Sequence, residues 1–223
     1  MKTLTITSIL TILLITPSLE AQIDYNKIIK GRVKTITETY FQMLERPGRL
    51  DSVSAGKVVV TIDTLGKIIS QYRYSNSGKT IRKFVPVYDK TGLVIEEKEY
   101  LNGELKLTTI PEYNNKVKIS QKTFRPDNSL NFTVTFKYND KGRMEEMNYQ
   151  NNKGKSYSRH TYGYDSDGNM VLHKSYRGDG SLISSDNVKY GEYDKIGNWH
   201  RSLIPGNEDR PGFLTLREIE YYE

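Results

Sequence analysis

The feature that most constrains this chain is a unit that keeps returning: an aromatic residue, a short polar turn closed by Gly, then an apolar residue. It stands as Tyr88-Asp89-Lys90-Thr91-Gly92-Leu93, Tyr138-Asn139-Asp140-Lys141-Gly142-Arg143-Met144, Tyr164-Asp165-Ser166-Asp167-Gly168-Asn169-Met170 and Tyr193-Asp194-Lys195-Ile196-Gly197-Asn198-Trp199. A fixed internal period sets the architecture before any single residue is interpreted. Two phases interleave. The first runs from Ile62-Asp63 through Tyr88, Tyr113, Tyr138, Tyr164 and Tyr193, in steps of 26, 25, 25, 26 and 29. The second uses Tyr74, Tyr100, Phe124, Tyr149 and Tyr176, in steps of 26, 24, 25 and 27. Each unit of roughly 25 residues carries two turns and two strands.

Each part of the unit has a mechanical reason. Asp or Asn after the aromatic bonds its own backbone two residues on and starts the turn. Gly supplies positive φ, as in a three- to five-residue hairpin loop with a bulge. Where Phe124-Arg125-Pro126-Asp127-Asn128 lacks Gly, Asn128 is the next-best residue for a left-handed position. Between turns the residues alternate, most cleanly with Leu130, Phe132, Val134, Phe136 and Tyr138 on one face and Asn131, Thr133, Thr135 and Lys137 on the other. The expected fold is all-β: an antiparallel meander of about a dozen strands, one elongated sheet, twisted or curled. Leu, Ile, Val and Phe make up under a quarter of residues 22–223. That suits a thin or self-closing sheet better than a two-layer sandwich.

Residues 1–21 read as a secretory signal peptide: Lys2, an apolar stretch from Leu4 to Ile15, Pro17 as a breaker, and small Ala21 at the cut. The apolar run is too short for a membrane span, and no later segment approaches one. The rest reads as a single domain, with an N-terminal cap region over 22–57, the repeat array over 58–201 and a C-terminal cap strand within 202–223. Val33 to Met43 alternates as a strand. Arg46 to Gly56 and Ile204 to Gly212 read as loops, and Leu214 to Tyr222 as a last strand. The chain has no Cys, so it holds neither a disulfide nor a lipidated N-terminal cysteine. An exported, non-lipidated bacterial protein, periplasmic or secreted, is expected. The formal net charge of +6 is scattered among acidic residues with no basic run, which speaks against nucleic acid and leaves a mild attraction to anionic envelope polymers.

The Tyr-Asp-x-x-Gly pattern at Tyr88, Tyr164 and Tyr193 resembles the YD or RHS-type repeats of bacterial envelope and secreted proteins, over Ile62 to Arg201. Tyr193 to Asn198 is the nearest copy. Gly197-Asn198-Trp199 followed by Arg217 to Tyr222 is similar to the tail of small exported RHS-like proteins of Bacteroidetes type. In large members such repeats build curled β shells that enclose or carry a toxin domain. The resemblance here covers the repeat portion only, with too few units expected for a closed shell.

A search for chemistry yields little. His160, His173 and His200 are the only histidines, and nothing in their spacing forces them together. Asp165 to Asn169 is a turn rather than a calcium loop, for it lacks the third acidic position and the distant Glu. The pairs Glu96-Glu97 and Glu145-Glu146 point to opposite faces of a strand and cannot share a substrate. No nucleophile elbow or phosphate loop is present. No catalytic residue, metal or cofactor is expected, and the chain reads as a non-enzyme. The aromatics Tyr88, Tyr100, Tyr138, Tyr149, Tyr164, Tyr176, Tyr193 and Trp199 carry the binding expectation. In one reading each covers a turn and pairs across strands. In the other, exposed rings form a ladder for sugars or partner proteins. The function expected is an exported interaction scaffold of the envelope whose partner is an envelope protein or polysaccharide. The alternatives are a carbohydrate-binding module using the tyrosine ladder and a glycoside hydrolase assembled across strands.

Overall fold

A computed structural model describes residues 29–46, 49–207 and 210–223, and the proposed signal peptide lies outside them. Among these residues there are fifteen strands, each antiparallel to its neighbours in the sheet: β1 (Val33–Arg46), β2 (Arg49–Ile62), β3 (Ile68–Tyr74), β4 (Thr80–Tyr88), β5 (Val94–Leu101), β6 (Glu104–Asn114), β7 (Val117–Phe124) and β8 (Leu130–Tyr138). They continue as β9 (Met144–Asn151), β10 (Ser156–Tyr164), β11 (Met170–Arg177), β12 (Leu182–Asn187), β13 (Lys189–Tyr193), β14 (Trp199–Ile204) and β15 (Phe213–Tyr221). All belong to one sheet of order β12-β11-β10-β9-β8-β7-β6-β5-β4-β3-β2-β1-β15-β14-β13.

The turns form as their residues dictate. In the Asp89 turn, Asp89 N–H donates to Leu93 O at 2.9 Å and Gly92 N–H to Asp89 O at 3.1 Å. Asp89 Oδ1 accepts from the N–H groups of Thr91 and Leu93 at 2.8 and 2.9 Å. The same backbone pair closes the turns at Asp63, Ser75, Arg125, Asn139, Asn151, Asp165, Arg177 and Asp194. Asn128 takes the Gly position at φ 63, and the Gly-less copy after Tyr113 closes as a two-residue turn with Asn115 at φ 48 and Lys116 at φ 65. Most of these turns insert a bulge in a strand, as between Val87 and Tyr88 or Lys137 and Tyr138, whereas β13 and β14 keep one register up to the Asp194 turn.

Two features curl the sheet into a nearly closed barrel. First, β1 pairs with β15, with Ile36 opposite Ile219 and Glu38 opposite Arg217, so the two ends of the meander meet. Second, the strands at the two ends of the sheet order, β12 and β13, are separated in the chain by Val188 alone. They act as one path whose first half pairs with β11 and whose second half pairs with β14. The expectation of an elongated or curled meander holds in its curled form. The expectation that so few units cannot close is corrected: the N-terminal strands β1 and β2 and the C-terminal strands β14 and β15 complete the circuit. One loop is also corrected. Residues 49–57 extend β2, because Ser52, Val53 and Ser54 find partners in Met43, Gln42 and Phe41. The weak strand formers Ala55 and Gly56, beside Ser52 and Ser54, hid the strand.

Inward residues form two apolar clusters. One joins Ile29, Val33, Ile36, Val58, Val60, Ile62, Ile68 and Phe84. The other joins Val134, Phe136, Met144 and Met147, with Phe132, Tyr138, Tyr149 and Tyr162 against it. Between them the interior is polar: Gln71, Glu97, Glu99, Thr109, Gln121 and Thr123 are buried on β3 to β7, and His173, Ser175 and Asp186 on β11 and β12. This explains the scarcity of apolar residues, since one thin wall has one face to fill and polar side chains fill part of it.

Candidate functional site

The first-phase tyrosines are structural rungs. Pairing between β3 and β4 stops at Gln71 opposite Phe84, after which the strands splay. Tyr88 spans the gap, its hydroxyl donating to Ile68 O at 3.0 Å. The relation repeats for Tyr113 to Val94 O at 3.0 Å, Tyr138 to Lys118 O at 2.8 Å, Tyr164 to Met144 O at 2.7 Å and Tyr190 to Met170 O at 2.8 Å. Burial pushes the Tyr88 and Tyr164 hydroxyls up to about 12, so they stay protonated donors. The fifth rung is Tyr190, not Tyr193. The step from Tyr164 to Tyr190 restores 26, and the odd step of 29 marks the break at Val188. Tyr193 is left 53% exposed.

The second-phase rings divide. Tyr72 and Tyr74 lie on the outer face with ring centroids 6.2 Å apart. Lys57 stands over Tyr74 at 5.1 Å and Lys83 over Tyr72 at 5.5 Å. Tyr100 is opposite Lys83 on that face, and Tyr176 carries the Arg159 guanidinium at 4.1 Å. Tyr149 instead faces inward, opposite Val134 and within 6.0 Å of Phe132. It precedes its turn residue, Asn151, by two positions where Tyr74 and Tyr176 precede theirs by one, and a shift of one residue changes the face. Trp199 is buried, 3.3 Å from the Arg217 guanidinium. Arg217 in turn donates from Nε and an Nη to Glu38 Oε1 at 2.9 and 2.5 Å. The eight aromatics therefore do not share one exposed face.

The closing turn is tied to the start of the described chain. Asn198 Nδ2 donates to Lys30 O at 2.8 Å while its Oδ1 accepts from Lys30 N–H at 2.8 Å. Burial opposes ionisation of Asp194, but the Tyr221 hydroxyl and the N–H groups of Asn198, Ile196 and Gly197 hold its carboxyl down to about 2.

Sequence reasoning missed a polar line inside the wall. Ser158 Oγ lies 3.0 Å from His160 Nε2, and His160 Nδ1 lies 3.0 Å from His173 Nε2. His173 Nδ1 faces Asp186 Oδ2 at 3.4 Å, and Asp186 also pairs with Arg210 from the loop after β14. Ser184 Oγ donates to Asp186 Oδ2 at 3.3 Å. Burial and the neighbouring imidazole of His173 pull His160 down to about 4. Burial favours the neutral form of Asp186, but His173 and Arg210 outweigh it and hold the carboxyl below its usual value. The pairing of Tyr162 with His173 and of His173 with Asp186 brings these residues together, and no spacing in the sequence announces it. A small cleft elsewhere is lined by Glu97, Thr109, Tyr113, Lys118 and Gln121.

The Teneurin YD-shell family model matches residues 18–223. The chain belongs to the Teneurin YD-shell family. No curated protein matches this YD-shell chain. Among solved structures it is similar to a porin-like protein from Bacteroides uniformis, at 10% identity and a TM-score of 0.49, covering 84% of this chain and 96% of that one. A porin-like protein from Bacteroides vulgatus matches at 13% identity and a TM-score of 0.46, over 86% and 99% of the two chains. A LolA superfamily protein from Nitrosomonas europaea matches at 7% identity and a TM-score of 0.32, over 93% and 95%. No helix among the described residues of this YD-shell chain is long and apolar enough to cross a membrane.

Proposed function

We propose that this YD-shell protein is an exported interaction scaffold of the bacterial envelope, binding its partner through its outer face. The observation that carries this reading is the division of the tyrosines. Five are committed to rungs inside the wall, whereas Tyr72, Tyr74 and Tyr100 stay on the outer face beside Lys57 and Lys83. Aromatic rings beside cations make an adaptable contact surface. The leader over residues 1–21 supports export. The outer face does not resemble a lipid-facing band, because β4, β5, β7, β8 and β11 carry Lys83, Lys98, Lys122, Lys137 and Lys174 among their outward positions. A spanning barrel needs an apolar outer belt.

A partner protein is the first reading. Polysaccharide is the second, favoured by the near-parallel rings of Tyr72 and Tyr74, at 27°, with lysines over both. Immobilised residues 22–223 would be exposed to envelope extract, and bound material analysed for protein and sugar. One enriched protein, lost on Tyr72→Ala with Tyr100→Ala, supports the scaffold. Enriched anionic polysaccharide lost in the same variant supports the second reading. Retention of all bound material by that variant would overturn both.

A further inference from the structure

The line from Ser158 to Asp186 is more than polar filling of the core. The rings of His160 and His173 are nearly parallel, at 6°, with centroids 5.3 Å apart and facing nitrogens 3.0 Å apart. Nitrogens that close are incompatible with face stacking, so the rings meet edge to edge through a hydrogen bond. A metal ion bound to both nitrogens has no room on that axis, since each bond alone takes about 2.0 Å. One proton arrangement suits both hydrogen bonds of the line and the acid at its end. His173 Nδ1–H faces the Asp186 carboxylate at 3.4 Å without closing a hydrogen bond; His173 Nε2 accepts from His160 Nδ1–H; His160 Nε2 is left to accept from the Ser158 hydroxyl. The direction runs from a fully buried carboxylate to a half-buried hydroxyl near the Asn151 turn. A buried acid orienting an imidazole that faces an accessible serine is the arrangement that activates a nucleophile. Here a second imidazole is inserted between acid and base.

We propose that Ser158 is the nucleophile of an acyl-transfer site inside the wall, with His160 as its base and a short-chain ester as substrate. This stands apart from the outer-face reading, since no residue is shared. Ser158 Oγ attacks the ester carbonyl carbon as its proton passes to His160 Nε2. The positive charge moves along His160 Nδ1–H to His173, beside Asp186. The carbonyl oxygen becomes an oxyanion, and Arg177, directly opposite Ser158 on β11 and exposed, supplies a cation to it. The bond to the leaving alcohol then breaks, and the alcohol takes the proton from His160 Nε2. Water, losing its proton to His160, attacks the acyl-serine, releasing the carboxylic acid and restoring Ser158. The low affinity of His160 for protons keeps Nε2 an open acceptor at neutral pH. It also makes the ring a weak base, which His173 and Asp186 offset by taking up the charge. These two are positioning residues.

Ser156 supplies an internal control, because it lies two residues away and its hydroxyl donates to Asn148 Oδ1 at 2.6 Å rather than to an imidazole. The full chain would be incubated with p-nitrophenyl acetate and the acetyl group mapped by peptide mass spectrometry. The site predicts acetylation of Ser158 at least about tenfold faster than of Ser156, a modest share of what a general base supplies. Equal acetylation of the two serines, or none, overturns the proposal. Urea must abolish the preference, and a preference that survives unfolding also overturns it. In folded His160→Gln the preference should vanish, and its persistence would count against the base. In folded Asp186→Asn the pH midpoint of acetylation should move. An unmoved midpoint would remove the relay.

Discussion

Tyr190 and Tyr193 stand three positions apart and meet different fates. Tyr190 donates its hydroxyl to Met170 O, whereas Tyr193 is half exposed. Tyr190→Phe should cost about 1–3 kcal/mol, because it leaves the partner carbonyl of Met170 without its donor. Tyr193→Phe should cost close to nothing, and urea denaturation of the two variants makes the comparison. Lys116, held at φ 65, offers a test of opposite sign. A left-handed backbone costs a residue with a Cβ roughly 1–2 kcal/mol, and glycine's extra freedom in the unfolded chain returns roughly 0.5–1 of that. Lys116→Gly should therefore stabilise by about 0.5 kcal/mol, read in the same denaturation. At this scale the turn chemistry was legible: the Asp and Asn starts, the Gly closures and Asn128 each follow from what one residue can do. Tyr149 was not, because its face depends on counting from Asn151 rather than from the preceding ring.

Strand pairs bring together what the sequence keeps apart. Thr109 and Thr123 meet at 3.0 Å inside the wall, and His160 reaches His173 only because β10 and β11 pair with Tyr162 opposite His173. Alternation indicates which residues face inward, yet it leaves the register between strands open, and the polar line from Ser158 to Asp186 is a product of register. Its pH consequence belongs to β10 and β11 together. His160 has an ordinary value of 6.5 and is lowered in the fold to about 4. Below pH 6.5 the unfolded chain binds a proton that the folded chain refuses, so stability is full above that value and falls as pH drops towards 4. With the ring partly open to solvent, the loss should be on the order of 2 kcal/mol. Folded His160→Gln should flatten the slope between pH 6.5 and 4 in a series of urea melts. A slope unchanged in the variant would show that the burial of His160 does not set it. A separate, more acidic loss is expected below pH 3.8, as the lowered carboxyls of Asp186 and Asp194 take up protons.

The whole molecule is a meander made to meet itself. Repeats from Ile62 to Arg201 build most of the wall, and their period is plain in the order of the residues. The closure is not, because β1 and β15 carry no copy of the unit and their pairing spans the length of the chain. A nearly closed wall also shortens the open edges on which chains associate, leaving only those of β12 and β13. In the outer row Lys57-Thr39-Leu216-Arg201, the strands β2, β1, β15 and β14 lie side by side. The chain has no Cys, so Lys57→Cys with Arg201→Cys places two spin labels and no others. Pulsed electron resonance should give a separation of roughly 15 Å plus the label arms, three strand spacings across the join. A separation on the order of 50 Å, the span of an open meander at the same spacing, would contradict the closed wall on which this account rests.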